Sequence, residues 1–150
     1  MRIIVCMKQV PDPEAHRDSF EINAETFTVE PKGVQPVLSL FDENALEAAL
    51  KIKDSLNDTK ISVLSIGKRV SNAVFQRALS TGADELIKVE DENLDAGMID
   101  SFIAAKVLAA AIRKIGECDL VLCGRQSADW NSGIAGFGIG EYLQYTTIGF

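Results

Sequence analysis

Short apolar runs without helical spacing alternate along the chain with longer segments that are apolar at every third or fourth position. The runs cover residues 2–7, 60–66, 85–89 and 119–123. Continuous apolar stretches of this length are typical of strands buried on both faces of a parallel sheet. The intervening segments predict amphipathic helices over residues 39–56, from 70 to a stop at Gly82, up to a stop at Gly116, and over 132–142.

The order of these elements, β-(hairpin)-α-β-α-β-α-β-α, predicts an α/β fold. Strands that alternate with helices of ten or more residues pair in parallel through right-handed crossovers. After the first strand, residues 8–13 contain two prolines and are expected to form a turn. Residues 19–30 then alternate weakly between apolar and polar positions before Pro31 and Gly33, which predicts a β-hairpin inserted ahead of the first helix.

Polar residues cluster where the last predicted strand ends. The stretch Gly124-Arg-Gln-Ser-Ala-Asp129 follows a buried strand, and Ser132-Gly133 opens the next helix. Ligands of open α/β sheets bind outside the carboxyl ends of the strands. The free amides of a helix N-terminus also suit an anion such as phosphate, so this loop is the first candidate for a binding site.

The start of the first helix carries a second polar signal. The spacing Ser39-Leu-Phe-Asp42 fits a capping box, and Asp42 could itself cap the helix. Lys8 follows the first strand and is therefore expected at the same edge of the sheet as the polar loop. For Lys8 the alternatives are a solvated loop lysine and a side chain that lines the site.

Composition and charge exclude several function classes. The formal charge of −7 and the lack of a basic stripe argue against nucleic acid as the main partner. The longest apolar runs are too short to span a membrane, so we expect no membrane insertion. Three cysteines without a Cys-x-x-Cys pair predict buried, reduced thiols and a cytoplasmic protein, and the single His16 leaves no metal-ligand pattern.

The motifs of common catalytic sites are missing. No Gly-x-Ser-x-Gly and no P-loop sequence occurs, and the first strand is not followed by Gly-x-Gly-x-x-Gly. Gly133-Ile-Ala-Gly136-Phe-Gly138-Ile-Gly140 is rich in glycine at another spacing. This segment predicts either a helix packed close to the sheet or a turn whose amides approach phosphates. We therefore predict no catalytic residue in this chain.

Three stretches together resemble the electron transfer flavoprotein β subunit. They are Lys8-Gln-Val-Pro-Asp12, Phe41-Asp-Glu-Asn-Ala-Leu-Glu-Ala-Ala-Leu50, and Gly124-Arg-Gln-Ser-Ala-Asp129 with Ser132-Gly133 after it. The resemblance covers essentially the whole chain. It departs from the family pattern at Ser39-Leu40, where the family usually has Asn-Pro, and at Ile134-Ala-Gly136-Phe, where Gln-Val-Gly-Pro is common.

The resemblance implies a doubly wound parallel sheet similar to the adenine-nucleotide hydrolase-like group, with the hairpin in place. It implies FAD or AMP as the bound nucleotide, and Asp42 followed by Glu43-Asn44 resembles the electron-bifurcating branch, which binds a second FAD. The implied function is that of an electron carrier rather than an enzyme, which passes electrons between flavin dehydrogenases together with an electron transfer flavoprotein α subunit as its partner. The family continues beyond the length of this chain. We therefore expect residues 1–150 to be a single nucleotide-binding domain, truncated before the family's C-terminal segment.

The residues that match the family's nucleotide site lie at the strand ends and in the polar loop. The expected cofactor-binding residues are Cys6, Lys8, Ser39, Leu40, Phe41, Asp42, Ile66, Gly124, Arg125, Gln126, Ser127, Asp129, Asn131, Ser132 and Gly133. Arg125 is expected to pair with a phosphate or flavin, or else to form a surface ion pair. Asp129 is expected to hold a ribose hydroxyl or to cap the next helix, and Trp130 to contact the α subunit or pack rather than stack on a base. The alternative function is a non-redox nucleotide-binding module similar to a stress protein.

Overall fold

The computed structural model describes residues 1–95 and 99–149. The strands are β1 Arg2–Cys6, β2 Gln9–Pro11, β3 Phe20–Asn23, β4 Thr28–Pro31, β5 Pro36–Leu38, β6 Lys60–Gly67, β7 Glu85–Glu90 and β8 Leu120–Cys123. The helices are α1 Leu40–Ser55, α2 Asn72–Thr81, α3 Ser101–Ile115 and α4 Ala135–Leu143. The predicted order of strands and helices is therefore confirmed. Within the described ranges, no helix is long and apolar enough to cross a membrane.

Four strands form the central sheet in the order β7-β6-β1-β8, and every neighbouring pair is parallel. β1 lies inside the sheet because both of its edges are used: Cys6 is in register with Leu64 of β6 and with Cys123 of β8. The continuous apolar sequence of β1 matches this position, since a central parallel strand is covered on both faces.

Alternation along β1 divides the core into two layers. Ile3 and Val5 pack with α1 and α2 on one face of the sheet. Ile4 and Cys6 pack with α3 and α4 on the other face. Successive side chains of a strand point to opposite faces, so one apolar strand serves both layers. Helices on both faces of a parallel sheet confirm the doubly wound α/β prediction.

Two small antiparallel sheets occupy the insertion between β1 and α1. The hairpin is confirmed, because Phe20–Asn23 pairs with Thr28–Pro31. The prediction of a simple turn over residues 8–13 was incomplete, because Gln9–Pro11 pairs with Pro36–Leu38. Both of these short strands carry a proline at the end of the ladder, where a missing backbone N–H costs least. The β2–β5 pair brings the chain back to the sheet edge after the insertion.

The last helix begins later than predicted. The sequence placed its start at Ser132, but α4 begins at Ala135. Asn131 and Gly133 have φ values of 53° and 66°, in the left-handed region. A right-handed helix cannot include such residues, so the segment up to Ile134 stays a loop. The stop of α2 at Gly82 is confirmed, because this glycine has φ 128° and donates its N–H to the last carbonyls of the helix.

Strand order reverses between β1 and β8. The chain moves from β1 to β6 and β7 in one direction and then returns to β8 on the other side of β1. Ligands of doubly wound sheets bind in the crevice outside the carboxyl ends of the strands at this point. In this protein, Cys6 and Cys123 are the last residues of the two strands that frame it.

Candidate functional site

A cavity of about 480 Å³ opens at the carboxyl ends of β1 and β8. Its floor is formed by strand ends, one wall by the first turns of α3, and another by the loop that leads into α4. Ten of the sequence-predicted site residues line it: Cys6, Lys8, Asp42, Ile66, Gly124, Arg125, Gln126, Ser127, Ser132 and Gly133. Residues that are far apart in sequence therefore meet at one edge of the sheet, as the topology requires.

Sequence reasoning missed most of the apolar surface of this cavity. The residues that it did not assign to the site are Met7, Leu94, Ile99, Asp100, Ser101, Ala104, Leu108, Cys123, Trp130, Ala135, Gly136 and Ile139. Ala104 and Leu108 are four residues apart on α3 and so lie on one face of it. This spacing was visible, but a stripe on a helix does not show whether it faces the core or a cavity.

Asp42 joins the two strand ends from the first turn of α1. Its Oδ2 accepts a hydrogen bond from Lys8 N at 2.8 Å, and its Oδ1 accepts one from Gly124 N at 3.1 Å. The residue is 7% exposed, and burial raises the pKa of its carboxyl to about 7 in spite of the two backbone donors. The capping interpretation of Asp42 is wrong, because its oxygens bond backbone outside α1.

Close packing around Gly124 supports this bridge. A Cβ at residue 124 would lie 2.7 Å from the carbonyl carbon of Phe41 and 2.8 Å from the backbone nitrogen of Asp42. Only a glycine leaves room for the start of α1 to approach the end of β8 so closely. The sequence marked Gly124 as the end of a strand, and the structure gives the steric reason for this residue type.

Ser39 occupies the N-cap position of α1 but does not act as a side-chain cap. Its backbone N–H donates to Lys8 O at 2.9 Å, which ties α1 to the end of β1. Its hydroxyl is fully buried and has no hydrogen-bond partner among the described residues. The predicted capping box is therefore wrong, and Ser39 does not line the cavity.

Replacing Ser39 by alanine is expected to leave the free energy of unfolding unchanged or to raise it by up to about 1 kcal/mol. The hydroxyl is desolvated without a partner, so its removal relieves a cost. Asp100→Ala is the matched comparison, because Asp100 Oδ1 caps α3 by accepting from Ile103 N at 2.8 Å. That variant should lose about 1 kcal/mol in urea unfolding. An equal loss for Ser39→Ala would mean that its hydroxyl is bonded in solution.

Two further predicted residues lie outside the cavity. Leu40 is 64% exposed on the outer side of α1. Phe41 lies beneath the guanidinium of Arg125, whose central carbon is 5.5 Å from the ring centroid, a cation–π contact. Arg125 itself lines the cavity, so Phe41 contributes by positioning this cation and not by lining the site.

Lys8 and Asp129 form an ion pair at the mouth of the cavity. Lys8 Nζ lies 2.6 Å from Asp129 Oδ2, and Asp129 Oδ1 accepts from Trp130 N at 2.9 Å. Burial opposes ionisation of Asp129, but hydrogen bonds from Lys8 and Ser127 outweigh it and lower its pKa. Asp129 therefore bonds to Lys8, which follows β1, and to the backbone of its own loop. It does not cap α4.

The polar loop is fixed by its own hydrogen bonds. Asn131 Oδ1 accepts from Gln126 Nε2 at 2.9 Å, and Asn131 N donates to Ser127 O at 3.0 Å. The hydroxyls of Ser132 and Ser101 lie 2.8 Å apart and connect the loop to α3. Asn131 thus shapes the loop without lining the cavity.

The two helices that begin at the cavity differ at their N-termini. Asp100 already accepts an amide of α3, so that end carries an internal carboxylate. The N-cap of α4 is Ile134, which makes no side-chain hydrogen bond, and Ala135 and Gly136 line the cavity. The first turn of α4 therefore lies at the cavity, with Arg125 among the lining residues, and its amides have no side-chain partner in the part of the chain that the structure describes.

The thiols of the cavity floor are free. Cys6 is buried beside Cys123, and its hydrogen bond to Cys123 and its burial raise the pKa of the Cys6 thiol well above the usual value. A thiol in this state is a small apolar group and not a nucleophile. Among the described residues, no cluster of three or more His, Cys, Asp or Glu side chains could hold a metal ion.

The chain as a whole is similar to a known protein family. Residues 26–146 match the family described as Electron transfer flavoprotein domain. The chain belongs to the electron transfer flavoprotein family. The resemblance to its β subunit, drawn from three motifs, is confirmed by relatives that carry this name.

Three relatives show the extent of the match. A "Caffeyl-CoA reductase-Etf complex subunit CarD" from Acetobacterium woodii is 36% identical over 99% of this chain and 54% of its own length. An "Electron transfer flavoprotein subunit beta" from Megasphaera elsdenii is 37% identical over 91% of this chain and 50% of its own. A "Protein FixA" from Azotobacter vinelandii is 35% identical over 97% of this chain and 50% of its own length. The chain spans about half the length of the curated relatives that it matches.

Proposed function

We propose that this chain is an electron transfer flavoprotein β subunit that holds an adenine nucleotide, FAD or AMP, in the cavity at the ends of β1 and β8. In this proposal it passes electrons between dehydrogenases as a carrier, together with an α-subunit partner. The observation that carries the proposal is the pairing of an apolar cavity wall with an uncapped helix N-terminus at the switch point of the sheet.

Two parts of the cavity lining suit the base and the phosphate of an adenine nucleotide. Leu108 and Ile139 line the cavity with apolar side chains, which suit a flat base. The first amides of α4 and the Arg125 guanidinium suit a phosphate. The backbone amides of Lys8 and Gly124 are already bonded to Asp42, so they do not compete for that phosphate. The cavity volume lies within the range of small-molecule sites.

No catalytic acid or base is required of this chain. If FAD is bound, the flavin supplies the electron chemistry, and the protein positions it and sets the charge around it. If AMP is bound, its role is structural and the redox flavin lies mainly on the partner. In both cases Lys8, Arg125 and the amides of α4 bind and orient the nucleotide, while the apolar wall keeps water from the base.

Nucleotide content distinguishes these possibilities. The protein is purified alone and with its α subunit, denatured, and the released nucleotides are separated by chromatography. Two flavins per heterodimer would place FAD in this subunit, whereas one flavin and one AMP would support the simple carrier. Nucleotide in a homo-oligomer that binds no α subunit would favour the non-redox module. Preparations without any adenine nucleotide would refute the proposed site.

Asp129→Asn is expected to weaken adenine-nucleotide binding about tenfold while the fold stays intact. The substitution removes the charge that holds Lys8 Nζ 2.6 Å from Oδ2 at the mouth of the cavity, so Lys8 is no longer positioned towards the nucleotide. Hydrogen bonds to charged groups contribute about 1.5–3 kcal/mol. Glu47→Gln serves as the control, since Glu47 pairs with Lys51 on the outer face of α1. Calorimetric titration with AMP measures both variants. Equal affinity of Asp129→Asn and the unaltered protein would exclude a role for this ion pair in binding.

A further inference from the structure

The hairpin of β3 and β4 carries an apolar face that the described residues of this chain leave uncovered. Ile22 and Val29 are directly opposite each other across the hairpin and are 78% and 63% exposed. By the alternation of the strands, exposed Pro31 and half-buried Phe20 extend the same face. The two strands pack mainly on each other and little on the rest of the molecule. An isolated two-stranded hairpin is only marginally stable in water, so a face of this kind needs a cover.

Phe27 adds an independent observation at the tip. It has φ 54°, in the left-handed region, and its side chain is 88% exposed. A bulky side chain is disfavoured in this conformation, where glycine or asparagine is the usual residue. Within the described chain the aromatic ring gains no burial that would offset this cost. A ring in this position is therefore accounted for by a contact outside the described residues.

The charges around the hairpin restrict what can cover it. Residues 18–31 carry the carboxylates of Asp18, Glu21, Glu25 and Glu30 and contain no lysine or arginine. Arg17 and Lys32 lie just outside this segment at its two ends, and Lys32 pairs with Glu21 at 2.5 Å. An anionic membrane surface would repel such a segment, and a second copy would bring two acidic hairpins together. The complementary occupant is a different protein with an apolar patch bordered by lysine and arginine.

We propose that this hairpin is a docking element for the α subunit, and that it inserts Ile22, Phe27 and Val29 into an apolar patch with a basic rim. The inference rests on the proposed function for the existence of the α subunit. Apolar side chains exposed in the free chain suit a permanent partner, because obligate interfaces are more apolar than transient ones. Aromatic residues such as Phe27 are enriched at the centre of interfaces.

The test uses the whole protein as it occurs in its cell, tagged through its chromosomal gene and purified with its α subunit. Phe27→Asn and the double variant Ile22→Thr with Val29→Thr are compared with Ile148→Thr, a substitution at another exposed apolar residue. Asparagine tolerates the left-handed conformation and threonine keeps the strand propensity, so neither hairpin variant should lower the melting temperature. We expect both to bind the α subunit at least about tenfold more weakly, and Ile148→Thr to bind it normally.

Further measurements test the role of charge in the complex and the identity of the occupant. Raising the ionic strength should weaken the unaltered complex more than it weakens a complex of a Glu21→Gln, Glu30→Gln variant. Undiminished α-subunit binding by both hairpin variants would overturn this inference and leave the proposed function standing. If the unaltered protein bound no α subunit, both would fail. Self-association in sedimentation, or binding to phosphatidylglycerol vesicles, that is lost in Phe27→Asn would assign the hairpin to another occupant and overturn the proposal.

Discussion

Asp42→Ala is expected to lower the free energy of unfolding at pH 6 by about 2–4 kcal/mol and to abolish the proposed nucleotide binding. The carboxyl accepts the backbone amides of Lys8 and Gly124, and its removal leaves two donors without a partner. Each such donor costs about 1–3 kcal/mol when it is buried. At pH 6 the carboxyl is mainly protonated, so the variant gains nothing by losing a buried charge. Urea unfolding measures the effect.

Two variants make this result specific. Asp54→Ala changes an exposed aspartate on the same helix and should be nearly neutral. Asp42→Asn keeps one acceptor oxygen but turns an amide group towards the second backbone donor, so its loss should lie between those of the other two. Equal stability of Asp42→Ala and Asp54→Ala would show that Asp42 does not hold the strand ends together.

Asp42 also makes stability depend on pH. Its pKa is about 7 in the folded protein and 3.8 as the ordinary value, so between these pH values the folded state holds more protons than the unfolded state. The free energy of unfolding therefore falls as pH rises from about 4 to 7, by on the order of 1 kcal/mol per pH unit, and levels off above. Asp42→Asn lacks this group. The difference in the free energy of unfolding between the unaltered protein and Asp42→Asn, measured from pH 4 to 9, should show this slope. A difference that does not change with pH would contradict the raised pKa.

Gly124→Ala is the second large effect: we expect a loss of about 2–3 kcal/mol in the free energy of unfolding and the loss of the proposed nucleotide binding. The added methyl group would meet backbone atoms of Phe41 and Asp42 at 2.7 and 2.8 Å. Backbone cannot rotate away as a side chain can, so α1 must move from β8. That movement breaks the hydrogen bond from Gly124 N to Asp42 at the cavity floor.

Gly67→Ala is the matched control, because Gly67 is the last residue of β6 at the same edge of the sheet. A Cβ there would have its nearest contact at 3.7 Å, an ordinary van der Waals distance. Urea unfolding and AMP titration of both variants separate a steric effect at residue 124 from a general effect of alanine at a strand end. Similar values for the two variants would refute the close approach of α1 to Gly124.

Hydrophobic spacing was sufficient to predict the order of the strands and helices, because both core layers take their residues from periodic segments. It failed for β2 and β5, since three-residue strands that contain prolines show no alternation. It also placed the start of α4 too early. Ser132 is a good cap by residue type, but the left-handed conformations of Asn131 and Gly133 keep the chain out of the helix.

The candidate site was predicted in its polar part and missed in its apolar part. Strand ends of a parallel sheet meet at one edge, so Lys8, Asp42 and Gly124 could be brought together from topology alone. The hydrogen bonds of Asp42 could not be predicted from the sequence. Its spacing is that of a helix cap, whereas in the structure its carboxyl accepts from the backbone amides of Lys8 and Gly124. The cavity wall of Ala104 and Leu108 could not be predicted, because a helix that lines a cavity shows the same apolar stripe in its sequence as a helix that packs on the core.

The interior place of β1 has a consequence for synthesis on the ribosome. Arg2 N bonds Asp119, which follows it by 117 residues, and β6 also lies far downstream. At a typical elongation rate, the apolar strand Arg2–Cys6 waits on the order of ten seconds before its second neighbour has been made. Until then its edges are open to other chains, as unpaired apolar strands are in general. Vectorial folding of this chain therefore leaves β1 without its second partner until β8 has been made, and β1 needs shielding from other chains in that interval.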